Sequence, residues 1–550
     1  MSNYNVGDLV AEFLQQAGVD TVFGVVSVHN IPMLDALGRR NAVRVVGARG
    51  EMGAGHMADA YARARRGLGV FFTSTGPGAA NAPGALVEAR FGSSPVLHIT
   101  GQTATANMDK EQGAVHDVMD QLGMLKATSK AAYRIRAPEM ALGVLLKAAT
   151  EALTPPMGPV SIEIPIDIQR SPITRPAILD GLVVAAPPGN AGDSASLDLL
   201  ATMAAESKRP LIWCGTGARY AGDAVRRLVE LGFGVVTSVN GRAVIPETDP
   251  MTLGAFQATP EVVKFYETVD FMLIAGGRVR AHETGDLQLK LPMRRAQIDV
   301  DPTALGRTYS VEHFHVGDAE AALNALADRL EGRMAVAANW ASDFAAVKTE
   351  TITNYRKVLG PYANFPDIFR EAMPDDAYWV RDVTMNNTTW GNRAIPLSKP
   401  EQNIYPVGAA IGPGFQFGIG AAFGAGGSKV VAITGDGGFY LNMTELWTAT
   451  QEQPDVAIVI FNDAGYGVIK DIQDTLYGER HYFADPIGPD FEGLAKLAKL
   501  PYFRVESEAE MGPQLKAAID HDGPTLVEVD MTKIGKVPRY FAPPPYATKS

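Results

Sequence analysis

The segment GDGGFYLNMTELWTATQEQPDVAIVIFNDAGYG carries the strongest chemical signal in the chain. An apolar run at residues 429–434 leads straight into Gly435, Asp436 and Gly437. Glycines at such a point let backbone close on a ligand, and a carboxylate there sits at the C-terminal end of a strand, where open α/β sheets bind ligands. A crossover then reaches a second apolar run that ends at Asp463, 27 positions after Asp436 (463 − 436). That spacing is one crossover unit, which sets the two strand ends side by side. Side-chain oxygens and a carbonyl beside an anionic ligand suit Mg²⁺, with diphosphate oxygens and water completing its shell. Alone, GDG reads equally well as a tight strand-to-helix turn. The second motif at this distance tips the reading toward a metal-bound diphosphate.

Such a site needs strands and helices in alternation. Strand-like runs at 22–26, 43–46, 68–72 and 96–100 alternate with helical periods at 6–17, 53–65 and 79–91. The texture returns at 210–215, 233–238, 271–276 and 297–299, and again at 378–383, 429–434, 456–461 and 525–529. This pattern predicts parallel sheets covered on both faces, an α/β chain of three doubly wound domains. At 550 residues, three domains of roughly 150–200 residues is also the expectation from size. A segment rich in Pro, Gly and Ala at 175–193 and a helical one at 332–354 divide the chain into 1–185, 186–345 and 346–550. The tail from Gly535, ending RYFAPPPYATKS, is expected to lie across the surface, because its prolines suit neither a helix interior nor a central strand.

Composition excludes several classes. The net charge of −12 leaves no basic surplus for a nucleic acid. The single cysteine, Cys214, rules out an intrachain disulfide and points to a reducing compartment. The opening residues read as an amphipathic helix and not as a signal peptide, and no apolar run reaches the ~18 residues of a membrane span. A cytoplasmic protein with no membrane partner is the expectation. A nicotinamide-dependent dehydrogenase is disfavoured, since no GxGxxG follows a first-domain strand.

GDG followed at this distance by an Asn-containing motif resembles the diphosphate–magnesium signature of thiamine-diphosphate enzymes. The chain is most similar to the superfamily of acetolactate synthase, pyruvate decarboxylase, benzoylformate decarboxylase and benzaldehyde lyase, over nearly its whole length. The resemblance implies a pyrimidine-binding, a central Rossmann-like and a diphosphate-binding domain, with thiamine diphosphate and Mg²⁺ as cofactors. Residue by residue it makes Asp436 the first metal ligand, Asp463 the second and the Gly465 carbonyl the third. Relatives usually carry Asn where Asp463 stands, so this site holds an extra negative charge. The segment RGEMGAGHMADAYAR matches the one that contains the activating glutamate, here Glu51, whose carboxylate bonds the cofactor's aminopyrimidine ring. In YPVGAAIGPGFQFGIGAAFG, the carbonyl of Ala409 matches the acceptor of the 4′-amino group, and Ile411 the apolar residue that bends the cofactor. Asn386 and Asn387 match diphosphate contacts. Glu51 of one subunit faces the cofactor of another in this family, which implies a homodimer or homotetramer.

On the substrate side, groups that titrate near neutrality matter, and the chain has nine histidines. His29 and His116 align with positions that face the substrate in relatives; Gln112 is a further candidate, and His56 is read as structural or interfacial. Arg278 matches an arginine of acetolactate synthases that contacts substrate or flavin. Ile469 and Ile472, with Val26 and Val28, are aligned with the pocket wall. Three acetolactate synthase hallmarks fail: Ile166 replaces a lysine, Ile472 a tryptophan and His116 a glutamine. These departures make FAD unfavoured, although the IDVDP stretch beginning at Ile298 could receive an adenine nucleotide by fold analogy. The expected activity is cleavage or formation of C–C bonds on 2-oxo acids or 2-hydroxy ketones, a decarboxylase or carboligase acting on a small carbonyl substrate. The alternatives are acetolactate synthase proper and a non-catalytic cofactor-binding paralogue.

Overall fold

A computed structural model describes residues 4–538. The surface role expected for the tail falls largely on residues 539–550, which lie outside the described residues. Among the described residues the chain forms three sheets, each all-parallel, with helices between the strands.

The first sheet contains Thr21–Gly24 (β1), Arg44–Gly47 (β2), Gly69–Thr73 (β3), Val96–Gln102 (β4), Ala131–Arg134 (β5) and Val160–Pro165 (β6), in the order β2-β1-β3-β4-β6-β5. The second contains Pro210–Cys214 (β7), Gly234–Thr237 (β8), Phe271–Ala275 (β9), Arg295–Asp299 (β10) and His313–Val316 (β11), ordered β11-β10-β9-β7-β8. The third contains Tyr378–Arg381 (β12), Asn403–Ile404 (β13), Val430–Gly435 (β14), Val456–Asn462 (β15), Tyr502–Val505 (β16) and Thr525–Asp530 (β17), ordered β13-β12-β14-β15-β17-β16. Numbered from their own first strands, the first and third sheets follow one and the same order. In both, the order reverses between the first and third strands. That reversal opens a crevice at the strands' C-terminal ends, where ligands of such sheets bind.

The alternation of strand and helix predicts this α/β architecture, and the central strands bear it out. β3, β14 and β15 are apolar runs buried along almost their whole length, as parallel strands covered on both faces must be. Each fully buried Val or Ile contributes on the order of 1.5–3 kcal/mol. Five strands escape the sequence pattern: β5, β6, β11, β13 and β16. Four of them are edge strands, short and mixed in sequence, as in HFHV and YFRV. The helical period at 79–91 is in fact two helices, Pro77–Ala80 and Pro83–Gly92. Pro83 lacks the amide that would continue the first helix, and it starts the second instead.

The first and third sheets meet through the helices that precede their third strands, Glu51–Arg65 and Gly414–Gly424. A Cβ at Gly420 would lie 2.1 Å from the Met57 carbonyl oxygen, so only glycine permits this approach. The Trp340–Lys357 helix lies between the second and third sheets, and its first side chain donates to the Gly232 carbonyl. Among the described residues, no helix is long and apolar enough to cross a membrane.

Candidate active site

The crevice at the order reversal of the third sheet is a pocket. Its wall includes Thr384, Asn386, Ile411, Asp436, Asp463 and Ile469, and its glycine floor is Gly435, Gly437 and Gly465. β14 delivers Asp436 to the first turn of the short Asp436–Tyr440 helix, and β15 delivers Asp463 to the turn that follows it. The Gly465 amide donates to the Asp436 carboxylate at 2.8 Å, tying the two turns together. A Cβ at Gly437 would stand 2.5 Å from the Tyr466 ring, so this floor has no room for a side chain.

Burial pushes both carboxyl groups above the usual aspartate range, and the charge of Asp436 pushes Asp463 further. The two are near enough to share a proton. Paired carboxylates in so little water are relieved either by a proton or by a cation. The donor set of two carboxylates with the neighbouring Gly465 carbonyl fits a hard divalent ion such as Mg²⁺. Among the described residues no three His, Cys, Asp or Glu side chains are placed to hold a metal ion together, so a diphosphate and water would have to complete the shell.

The loop at 405–412 brings Ile411, 45 % exposed, to the pocket's rim. Ala409 holds a left-handed φ of 63°, strained for a residue with a Cβ. Among the described residues no donor reaches its carbonyl, which is thus free to accept from a ligand. Asp382 fixes the loop's far end, accepting from the Gly412 and Gly414 amides, and its burial raises its pKa to about 6. Asn386 is fully buried and lines the pocket, with its side-chain oxygen accepting from the Trp390 indole. Asn387 spends its side-chain oxygen on Arg381.

The equivalent crevice of the first sheet gathers a second group. Glu51 opens its helix half-buried, takes a hydrogen bond from Asn81 and stands against Gly78. The His116 backbone touches Gly76, and the His116 ring lies 5.2 Å from that of His29. Ser74 reaches His116 Nδ1 at 3.4 Å. His29 Nδ1 is buried without a partner, and burial together with the neighbouring His116 lowers its pKa below 6.5. His29 is therefore neutral near pH 7 and able to accept a proton. Gln112 is exposed and bonds Asn107.

Ile469 and Ile472 lie on the Gly467–Leu476 helix, but only Ile469 lines the pocket. Arg278 does not line the Asp436 pocket; it is an exposed side chain whose guanidinium reaches Ser93 at 3.3 Å. His56 is buried against Phe417. Sequence reasoning missed Tyr466 and Met531, which line the pocket, the carboxylates of Asp382 and Glu88, which hold its 405–414 loop, and that of Glu445, which holds the loop before Glu51. Met531 follows β17, whose own C-terminal edge is the signal that could have found it.

Comparison with known proteins agrees with this geometry. Three family models match in order. The N-terminal TPP binding domain of thiamine pyrophosphate enzymes matches residues 4–124, their central domain 197–326 and their C-terminal TPP binding domain 384–529. A probable 2-ketoarginine decarboxylase of Pseudomonas aeruginosa is 30% identical, over 95% of this chain and 93% of that protein. A probable acetolactate synthase large subunit of Methanocaldococcus jannaschii is 29% identical, over 95% and 91% of the two chains. The acetolactate synthase isozyme 1 large subunit of Escherichia coli is 27% identical, over 99% and 96%.

Proposed function

The chain belongs to the thiamine pyrophosphate enzymes, and on that premise we propose that its two crevices, one from each of two subunits, form a single active site for decarboxylating a 2-oxo acid. It is an enzyme of thiamine-diphosphate-dependent C–C bond cleavage or formation. The observation that carries the proposed site is the pair of mutually perturbed carboxylates, buried Asp436 and half-buried Asp463, on a glycine floor.

When bound, thiamine diphosphate supplies a carbanion that adds to a carbonyl, and a ring that takes up the electrons freed as the neighbouring bond breaks. Asp436, Asp463 and the Gly465 carbonyl would hold Mg²⁺ and so neutralise the diphosphate. The free Ala409 carbonyl would accept the 4′-amino group, and Ile411 would offer the ring an apolar contact. Glu51 would share a proton with the pyrimidine ring. His29, neutral near pH 7, and His116 would move protons at the substrate carbonyl.

None of the residues lining the Asp436 pocket comes from the first sheet's half of the chain, whereas Glu51 and both histidines do. A homodimer supplies what one chain leaves apart, and a homotetramer would pair two such dimers. Cys214, buried and unpaired, suits a cytoplasmic setting.

Decarboxylation is favoured over acetolactate synthesis because Ile166, Ile472 and His116 replace three acetolactate synthase hallmarks, while the name of the Pseudomonas relative points to a 2-oxo acid decarboxylase. The experiment is product analysis by NMR with thiamine diphosphate and Mg²⁺, using pyruvate, benzoylformate, 2-ketoarginine, benzoin and paired aldehydes. An aldehyde with loss of CO₂ is expected. Acetolactate from pyruvate would instead establish the second reading, and a hydroxy ketone formed from aldehydes alone would make the enzyme a carboligase.

A further inference from the structure

The shared topology of the first and third sheets carries one step beyond this reading. In each, the helix before the third strand begins at a cofactor-facing loop: residues 49–51 for Glu51–Arg65, and residues 408–412 for Gly414–Gly424. In each, the segment after the third strand bears a glutamate that is almost fully buried, Glu88 at 1 % exposure and Glu445 at 2 %. Each glutamate leaves its own half and closes on the loop of the other.

Glu445 accepts from the Arg49 amide with both oxygens at 3.1 Å and from the Gly50 amide at 3.1 Å. Gly50 is the N-cap of the Glu51 helix and Gly53 its third residue, so Glu445 gives the N-cap amide the carboxylate that a glutamate at that third position would supply in a capping box. Thr448 donates to its second oxygen at 2.6 Å. Glu88 accepts from the Gly408 amide at 2.8 Å and from the Ala410 amide at 3.2 Å, on either side of the strained Ala409. Arg63 lies nearby but forms no hydrogen bond to Glu88. Its guanidinium is taken by Asp59, Ser94 and the Tyr405 carbonyl, which tethers the start of the same loop. Burying a carboxylate is costly unless several donors meet it. These two meet backbone donors of the loops that carry Glu51, Ala409 and Ile411.

We propose that Glu88 and Glu445 are reciprocal positioning residues, Glu445 aiming Glu51 and Glu88 holding the Ala409 carbonyl and Ile411 in their strained loop. The assignment rests on the proposed roles of Glu51, Ala409 and Ile411. It predicts that the two act on different steps. Glu445 governs proton sharing with the pyrimidine, whereas Glu88 governs how the cofactor is held. Because Glu51 serves the partner's cofactor in the dimer, each subunit's third sheet sets the activation step in its neighbour.

The test uses the full-length protein with Mg²⁺, comparing Glu445→Ala, Glu445→Gln, Glu88→Ala and Glu88→Gln with Glu51→Gln. Two quantities are read: thiamine diphosphate affinity by calorimetry, and deuterium exchange at the cofactor's C2 by quenched-flow NMR. Loss of charge-assisted hydrogen bonds leads us to expect Glu445→Ala to slow C2 exchange roughly ten- to a hundredfold, with affinity held within about threefold. Glu88→Ala should weaken affinity by a similar factor, and each Gln variant, which keeps one acceptor oxygen, should recover part of the loss. Should an Ala variant fail to fold, the Gln variants show the same split at smaller size. Folded variants with wild-type exchange and affinity would overturn the proposal, as would equal losses of both quantities in both pairs. Normal exchange in Glu51→Gln would overturn the reading beneath it instead.

Discussion

The C-terminal edges of the first and third sheets occupy the same place in one topology, yet they carry different chemistry. The third sheet's edge is a glycine floor with one buried and one half-buried carboxylate, and the Gly465 amide already ties its turns together. The first sheet's edge holds Glu51 and two histidines, one of them with an unpartnered ring nitrogen. Near it lie exposed apolar side chains, Val26 at 68 % and Met119 at 83 %. The topology fixes where a ligand can bind; side chains decide whether that crevice anchors an anion or moves protons. The edge with glycines and paired carboxylates suits the anchor, and the one with exposed apolar side chains nearby suits a changing substrate.

Substitutions should separate the two edges. The largest effect is expected for Glu51→Gln, which should lower kcat roughly 10²–10⁴-fold, the range for removing a general acid–base group, while cofactor affinity holds. Steady-state kinetics with calorimetry checks it. His116→Ala should lower kcat/KM by about a hundredfold, again without loss of cofactor affinity. If that variant releases the cofactor, the division between the edges fails. Gly437→Ala should do the reverse, weakening thiamine diphosphate binding by about tenfold or more through the contact with Tyr466, because overpacking costs on the order of 1–3 kcal/mol. Ile469→Ala should shift preference among 2-oxo acids by about tenfold with little change toward the best one, since missing methylenes discriminate weakly. Competition assays on paired substrates measure it.

A smaller effect concerns stability. Burial holds His56 at about 4 and His98 at about 3, both below the 6.5 of a free imidazole. Each takes up a proton only on unfolding. The stability they contribute is therefore complete above pH 6.5 and is lost as the pH falls toward 4, by about 1.4 kcal/mol per pH unit for each histidine. The raised carboxyl groups of Asp382 and Asp463 titrate in the same range with the opposite sign, so the histidine share is read as the difference in pH slope between wild type and His98→Gln in urea denaturation.

How much of this was legible in the sequence follows from the same contrast. The third sheet's edge was readable because GDG and NDAG are backbone demands: glycines where side chains do not fit, and carboxylates at strand ends. The buried strands β14 and β15 announced themselves as unbroken apolar runs. The edge strands β5, β11, β13 and β16 did not, being short and mixed in sequence. Glu88 and Glu445 were invisible for a different reason. Each sits in an ordinary helical sequence, and only the packing of the Glu51–Arg65 helix on the Gly414–Gly424 helix brings it to a loop more than 300 positions away. Gln112 and Arg278 carried no backbone demand of this kind; both are exposed, and neither lines the Asp436 pocket.

The central claim is that Asp436 and Asp463 anchor thiamine diphosphate through a divalent ion at the third sheet's edge. The most direct test is calorimetric titration of the full-length protein with thiamine diphosphate, with and without Mg²⁺, beside Asp436→Ala. Saturable binding that requires Mg²⁺ and disappears in the variant is the predicted result. Binding of equal strength in Asp436→Ala, or binding indifferent to any divalent ion, would contradict it.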